Sequence, residues 1–331
     1  MADVAKMVGI SKNAVSLALS GRAGVSEETR REVVRVASEL GYPVRSRPTG
    51  TTRIALAAAQ GLFHQPSSDF FGPLLEAVQQ DLSQLGYTLS LFVITPEDEA
   101  ALQIPRSVAD GEYSGIVVVS KLSASLLAKL YACGPLVLVD HYDPGLACDQ
   151  VLTENEVGAH LAVHHLVHLG HRAIGFIGQN SEAPSYVERW RGFRIALERS
   201  GLEKNPDWIW QEAQMTALAL GAFYDGLTEP PTAWFCVNDV LAMVLVNHLR
   251  ARNVDIPGQV AVVGFDGLEL SLTTNPQLTT VNVDHRYYAH RVAEVLHRRI
   301  ENPGAPFETI RVIPRLVVRG STAQLAQVPG G

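Results

Sequence analysis

Asp3-Val4-Ala5-Lys6-Met7-Val8-Gly9-Ile10-Ser11-Lys12-Asn13-Ala14-Val15-Ser16-Leu17-Ala18-Leu19 is the stretch that decides how the N-terminal region folds. Its apolar residues fall at helical spacing on both sides of one glycine. Asp3 leads into Val4-Ala5-Lys6-Met7-Val8, whose apolar positions share a face of a first helix. Gly9 permits a tight turn, and Ser11 can cap a second helix over Lys12–Leu19. In that helix Ala14, Val15, Ala18 and Leu19 pack inward, which leaves Lys12, Asn13, Ser16 and Leu17 facing outward. After the loop Arg22-Ala23-Gly24, Ser26 caps a third helix with Glu27 and Glu28 in its positive first turn, and Gly41 ends it after Leu40. Two helices joined by about three residues around a glycine form a helix-turn-helix. Its second helix lies in the major groove, with N-terminal side chains reaching base edges. A three-helix structural cap with no DNA role is the competing reading of the same residues.

Charge bears on that choice. Residues 1–53 hold nine Lys/Arg against five acids, a net of +4, whereas the remainder is at −11 and the whole chain at −7. A basic head on an acidic body is what a DNA-binding module joined to a non-DNA module shows. The chain has 331 residues, 47% of them apolar and 18% charged, which suggests two or three globular domains. No run approaches ~18 uncharged apolar residues, so no membrane span is expected. The N-terminus lacks the basic-then-apolar layout of a secretory signal. Cys133, Cys148 and Cys236 are scattered with no CxxC pair, which fits reduced thiols in the cytoplasm and neither a disulfide framework nor a zinc finger.

From Ile54 onward short apolar runs alternate with amphipathic helices. Strands are expected at Ile54–Ala59, Thr88–Ile94, Gly115–Ser120 and Leu136–Asp140, with a helix at Phe71–Leu85. A second set follows: helix Asn155–Leu169, strand Ala173–Gly178, helix Trp190–Ser200, strand Ala233–Val237, helix Asp239–Arg252 and strand Val260–Phe265. Continuous Val/Ile/Leu strands, each followed by a helix, indicate parallel sheets covered on both faces. Two such sets imply two doubly wound lobes with a ligand cleft at the C-terminal ends of the strands.

The first forty residues also carry a resemblance. Asp3-Val4-Ala5-Lys6, Gly9-Ile10-Ser11, Ala14-Val15-Ser16, Val25-Ser26-Glu27-Glu28-Thr29-Arg30 and Leu40-Gly41-Tyr42 resemble the DNA-binding domain of the lactose-repressor (LacI/GalR) family. The resemblance continues in Glu154-Asn155-Glu156, His168-Leu169-Gly170-His171-Arg172, Arg191-Gly192-Phe193, Asn238-Asp239, Val263-Gly264-Phe265-Asp266 and Leu278-Thr279-Thr280-Val281, and reaches about Arg319. It implies an α/β protein: an N-terminal three-helix helix-turn-helix domain plus a two-lobed periplasmic-binding-protein-like domain with doubly wound parallel sheets. The expected organisation is a DNA head at 1–44, a short atypical linker at 45–53 and an effector domain at 54–331. Its N-lobe covers about 54–153 and 283–312, its C-lobe about 154–282 and 313–320, with crossings near Thr153, Val283 and Ile313.

The same resemblance assigns base reading to Lys12 and Asn13, where Lys suits guanine O6/N7 and Asn pairs bidentately with adenine. Ser11, Ser16 and Arg22 are expected at phosphates. Two departures stand out. Leu17 occupies a position where the family usually has a base-contacting arginine, which leaves open an apolar contact to a thymine methyl. The family's hinge helix, with its minor-groove leucine, is replaced by Pro43-Val44-Arg45-Ser46-Arg47-Pro48-Thr49-Gly50. Prolines and a glycine oppose a helix, so an extended linker is expected, either with Arg45 and Arg47 on DNA or as a plain tether.

Effector contacts are expected where strands end: Asp140, Asn238 and Asp266, whose carboxylates and amide suit the paired hydroxyls of a sugar or the ring edge of a base. Asp239 is read as the cap of the helix it precedes. Arg189 matches a ligand-binding arginine of the family, with a surface ion pair as the alternative; Phe70 and Phe71 match an aromatic pair at the cleft mouth, one of them core. Trp234 and Tyr186 are weaker candidates of the same kind. His160, His164 and His168 share a helix face but are read as surface histidines, and no metal or cofactor is expected. No GxSxG, HExxH, Walker or GxGxxG pattern occurs, and Asp140-His141 lacks a partner nucleophile, so no enzyme is expected. The chain therefore reads as a cytoplasmic, homodimeric repressor of a pseudo-palindromic double-stranded operator, controlled by a small molecule, a sugar ahead of a purine. The rival readings are a carbohydrate-binding receptor without a DNA role, a transporter-feeding module and a sugar-modifying enzyme.

Overall fold

The computed structural model describes residues 2–19, 24–40, 52–63, 68–179, 183–212 and 216–325. The chain opens with helices α1 (Ala2–Val8), α2 (Lys12–Leu19) and α3 (Glu27–Glu39). The Ser11 hydroxyl accepts from the Ala14 N–H at 3.1 Å, and the Ser26 hydroxyl accepts from the Thr29 N–H at 3.1 Å. Both helices thus begin on the serine that satisfies an otherwise unpaired amide of the first turn. Gly9 turns the chain at φ 76°, where a side chain would be strained. Val4, Val15, Val33 and Ala37 are fully buried where the three helices meet.

The rest of the chain runs β1 (Thr52–Ala59), α4 (Ser68–Gln84), β2 (Tyr87–Ile94), α5 (Pro96–Ala100), α6 (Arg106–Ala109), β3 (Gly115–Val119), α7 (Ala124–Cys133), β4 (Leu136–Val139) and β5 (Asp149–Thr153). It continues with α8 (Asn155–His168), β6 (Ile174–Gln179), α9 (Pro184–Arg199), β7 (Ile209–Glu212), α10 (Ala217–Asp225), β8 (Ala233–Cys236), α11 (Asp239–Ala251) and β9 (Ala261–Asp266). Last come β10 (Thr279–Asn282), α12 (His285–Glu301), β11 (Thr309–Val312) and β12 (Arg315–Val317).

The strands form two sheets, ordered β11-β5-β4-β3-β1-β2 and β12-β10-β9-β8-β6-β7. Every pairing is parallel except β10 with β12. Strands β3, β4, β8 and β9 are buried along their whole length, as sheets with helices on both faces require. α12 packs on the first sheet, whereas α8, α9 and α11 pack on the second. The chain passes from one sheet to the other between Thr153 and Asn155, between Asn282 and His285, and between Val312 and Arg315. These crossings bring the carboxyl ends of both sheets to face one cleft.

Five strands escape the apolar-run reading: β5, β7, β10, β11 and β12. They are three to five residues long and mix polar with apolar side chains, as in Asp149-Gln150-Val151-Leu152-Thr153. Their place in the ladder, rather than a pattern of their own, makes them strands. Helix α9 starts at Pro184, six residues ahead of the expected Trp190. Proline at the first turn has no N–H to satisfy and a φ already suited to the helix.

α8 and α9 approach closely because Gly192 has no side chain. A Cβ there would lie 2.5 Å from the Glu156 carbonyl oxygen and 2.8 Å from the Ala159 Cβ. Backbone cannot yield cheaply, so Gly192→Ala should destabilise the fold by about 1–3 kcal/mol through overpacking. That exceeds the ~1 kcal/mol gained in helix propensity. Urea unfolding of the full chain checks it; a variant more stable than the parent would show that the helices do not meet as described.

Candidate functional site

On α2, Lys12, Asn13 and Ser16 are exposed, while Val15 and Ala18 are buried against the other helices. Ser11 is also exposed; its oxygen accepts the Ala14 amide, which leaves the hydroxyl hydrogen available. Leu17 differs from the outward reading. It is half-buried, and its Cδ1 would lie 3.3 Å from a Cβ placed on Gly24. Arg22, Arg45 and Arg47 lie outside the described residues, as does the linker up to residue 51.

The cleft between the sheets encloses about 320 Å³. Phe70, Phe71, Asp140, Arg189 and Asp266 line it, together with Tyr186. Arg189 is 2% exposed and Asp266 5%, and their Nη1 and Oδ1 atoms are 3.0 Å apart. The surface ion pair considered for Arg189 is therefore an interior one. Its Nε donates to Asn155 Oδ1 at 2.9 Å, its Nη1 donates to the Val237 carbonyl at 2.8 Å, and its guanidinium lies 3.7 Å from the Phe265 ring centre. Phe70 and Phe71 meet edge to face at 5.0 Å and are both mostly covered, so each belongs to the core as much as to the cleft wall.

Two of the expected contacts sit elsewhere. Trp234 is fully buried within β8, its ring lying over Gly175 of β6, where a Cβ would be 2.4 Å away. Its position inside the strand, three residues ahead of Val237, turns it into the core rather than toward the tip. Asn238 is buried beneath the cleft: its Oδ1 accepts the Leu241 N–H at 2.9 Å, which caps α11, and its Nδ2 donates to Tyr186 Oη at 2.9 Å. Asn238 thus holds the cap expected of Asp239. The Asp239 carboxylate instead accepts from the Leu268 N–H at 2.8 Å and the Thr280 hydroxyl at 2.5 Å, fixing the turn that follows β9.

The cleft also contains Ser120, Lys121, His141 and Ser185, which the reading of strand tips passed over. The signal was present, since Ser120 and His141 adjoin the ends of β3 and β4. Backbone geometry marks the same tips. Among the described residues the non-glycine positions at positive φ are Leu102, Ser120, Asp140, Asn253 and Asp266, and Ser120 (84°), Asp140 (56°) and Asp266 (106°) all face this cleft. Such conformations cost of order 1–3 kcal/mol each and gather at binding sites.

Electrostatics separates the two cleft carboxylates. Burial, partly opposed by Arg189, raises the Asp266 carboxyl to about 6. For Asp140 burial outweighs the attraction of Arg189, and Asp266 and Glu188 add repulsion, pushing its carboxyl up to about 7. Among the described residues no protein donor reaches the Asp140 carboxylate; only its backbone N–H is bonded, to the Val151 carbonyl at 3.0 Å and Tyr288 Oη at 3.1 Å. His141 is pushed down to about 4 by burial, so its ring is neutral near pH 7. A neutral imidazole and a half-charged acid suit hydrogen bonding to an uncharged ligand.

Residues 1–43 match the bacterial regulatory proteins of the lacI family, and residues 163–322 match a periplasmic binding protein-like domain. The chain thus joins a lacI-family helix-turn-helix domain to a periplasmic binding protein-like domain. The HTH-type transcriptional repressor PurR of Aliivibrio salmonicida (strain LFI1238) is 28% identical over 334 residues, covering 98% of each chain. That of Vibrio vulnificus (strain CMCP6) is 29% identical over 336 residues, with the same coverage. The structure of a transcriptional regulator CelR–cellobiose complex is similar with a TM-score of 0.71 at 26% identity, over 96% of this chain and 98% of that one. The lac repressor dimer bound to operator and the anti-inducer ONPF shares the fold, with a TM-score of 0.71 at 22% identity over 97% and 98%.

With that domain pair the chain is a DNA-binding transcription regulator and not an enzyme; a receptor without a DNA role is not favoured. Among its described residues no helix is long and apolar enough to cross a membrane, and no group of three or more His, Cys, Asp or Glu side chains is placed to hold a metal. On α8, His160 is half-buried while His164 and His168 are exposed.

The raised Asp140 carboxyl carries a pH dependence. An acid at 3.8 unfolded and about 7 folded binds more protons in the folded state between those values, so its contribution to stability falls as pH rises from about 4 to 7. Asp140→Asn removes that loss. The melting temperature of the variant minus that of the parent should therefore grow across this window and level off above it; a flat difference would mean that Asp140 titrates as an ordinary surface acid.

Proposed function

We propose that this regulator is a repressor whose residues 1–44 bind, as a homodimer, a pseudo-palindromic operator in double-stranded DNA, and that a sugar in the interlobe cleft controls it. Lys12 and Asn13 read base edges, Leu17 adds an apolar contact, and Ser11 and Ser16 meet phosphates, with Arg22, Arg45 and Arg47 adding positive charge. Phe70, Phe71, Asp140, Arg189 and Asp266 hold the effector; Asn238 acts from beneath by orienting Tyr186. Two heads on a two-fold axis match half-sites about one helical turn apart. Ligand occupancy shifts the lobe arrangement and with it the spacing of the heads.

The observation that carries this reading is the convergence of Ser120, Asp140 and Asp266, all in left-handed backbone geometry, around a buried arginine in one cleft. The Asp140 carboxylate, without a protein donor among the described residues, calls for a ligand rich in hydroxyl or N–H groups. The edge-to-face, largely covered Phe70 and Phe71 offer little flat surface for a purine ring. A CelR regulator similar to this chain binds cellobiose.

Thermal-shift screening of monosaccharides, cellobiose, purine bases and nucleosides tests the effector class. At a hundredfold excess over its dissociation constant a ligand contributes about 2.7 kcal/mol, and Arg189→Met should abolish the shift. Stabilisation by purines alone would overturn the sugar assignment. For the head, Lys12→Ala and Asn13→Ala should each weaken operator binding by about 1–3 kcal/mol in anisotropy titrations at fixed salt. Unchanged affinity in both variants would remove α2 from the DNA interface.

A further inference from the structure

A row of polar side chains runs from the cleft to the crossings between the lobes. Arg189 Nε donates to Asn155 Oδ1 at 2.9 Å. Asn155 Nδ2 donates to Glu188 Oε2 at 3.0 Å and to the Thr153 carbonyl at 3.1 Å. Glu188 then meets Arg311 as a fork: Nη2 to Oε1 at 2.9 Å and Nη1 to Oε2 at 3.3 Å. Asn155, Glu188 and Arg189 are all buried, whereas the Arg311 side chain is one-third exposed.

The partners belong to different lobes. Glu188 and Arg189 lie on α9, which packs against the second sheet, while Arg311 lies on β11 at the edge of the first. Two of the crossing segments meet at the same place, where the Glu154 N–H donates to the Val312 carbonyl at 2.8 Å. We propose that Asn155 and Glu188 are positioning residues that tie the cleft-facing Arg189 to Arg311 of the opposite lobe, making Glu188–Arg311 a latch on the angle between the lobes.

The geometry gives the row a direction. The Asn155 amide accepts from one neighbour and donates to the other, so turning it over would set its oxygen against the Glu188 carboxylate and its NH₂ group against the guanidinium. A displacement of Arg189 therefore cannot be absorbed by an amide flip; it has to move Glu188 or break the row. A forked arginine–carboxylate pair constrains orientation as well as distance. Swinging the lobes apart at β11 would leave Glu188 buried with one donor where it had two partners, which is costly for an ionised carboxylate. The trigger rests on the cleft being the ligand site, but the latch does not.

Interlobe distance in the full-length, ligand-free chain is the test. Spin labels are attached through Gln79→Cys on α4 and Glu198→Cys on α9, both exposed, in a Cys133→Ser background and diluted with unlabelled chain. Arg311→Met and Asn155→Leu should each shift or broaden the distance distribution relative to the labelled parent. Arg311→Lys, which keeps the charge but not the fork, should fall between them and the parent. Melting curves verify that each variant is folded. A distribution in folded Arg311→Met or Asn155→Leu identical to that of the parent overturns the proposal. Because no ligand is added, a failed sugar screen and a failed latch are distinguishable results.

Discussion

The interior pair of Arg189 and Asp266 is the interaction on which the cleft depends. Stripping two ions of water costs several kcal/mol each, and the attraction between them repays this only when their remaining hydrogen-bonding groups are also satisfied. Here Asn155 and the Val237 carbonyl take guanidinium N–H groups, and the face of Phe265 covers the plane of the fork. Such an arrangement contributes little to stability compared with a well-packed apolar substitute. What it does is hold a positive fork rigidly at the carboxyl end of a sheet, with the Asp140 carboxyl across the gap. Rigidity placed before the ligand arrives reduces the entropy that binding must overcome.

The parallel sheets explain why those side chains converge. Strands buried on both faces leave only their ends for chemistry, and in a doubly wound sheet the carboxyl ends open into a crevice. With two sheets joined by three crossings, the ends of β3 and β4 confront that of β9. Each tip must turn sharply away from its strand, and at Ser120, Asp140 and Asp266 it does so in left-handed geometry without glycine. Glycine would relieve the strain but remove the side chain. Serine and aspartate there keep polar side chains at the cleft, at a cost of order 1–3 kcal/mol in local stability each.

The DNA head follows a different economy. Three short helices around a small aliphatic core satisfy their ends with Ser11 and Ser26 and keep Lys12, Asn13 and Ser16 outside. Residues 1–53, head and linker together, carry +4 and the remainder −11, so phosphate attracts the N-terminal part and repels the body. Leu17 is the exception on this face. It is half-buried, with its Cδ1 directed toward Gly24.

Residues alone were enough for the helix-turn-helix, the two βα sets and the lacI-type motifs, because period, caps and glycines are local properties that the chain carries wherever it goes. Asp140 and Asp266 could be expected at the cleft because each ends an apolar strand run, whereas Arg189 was marked only by the family resemblance. Only the tertiary arrangement decided which way each neighbour points. Trp234 lies two residues before the end of β8 and fills the core; Asn238 lies just past that end and spends its amide on a helix cap and on Tyr186. The short strands β5 and β11, and the contact of Glu188 with Arg311 across 123 residues of chain, leave no local trace. Hydrogen bonds of that kind depend on where two distant segments are brought together, and periodicity within either segment does not encode that meeting.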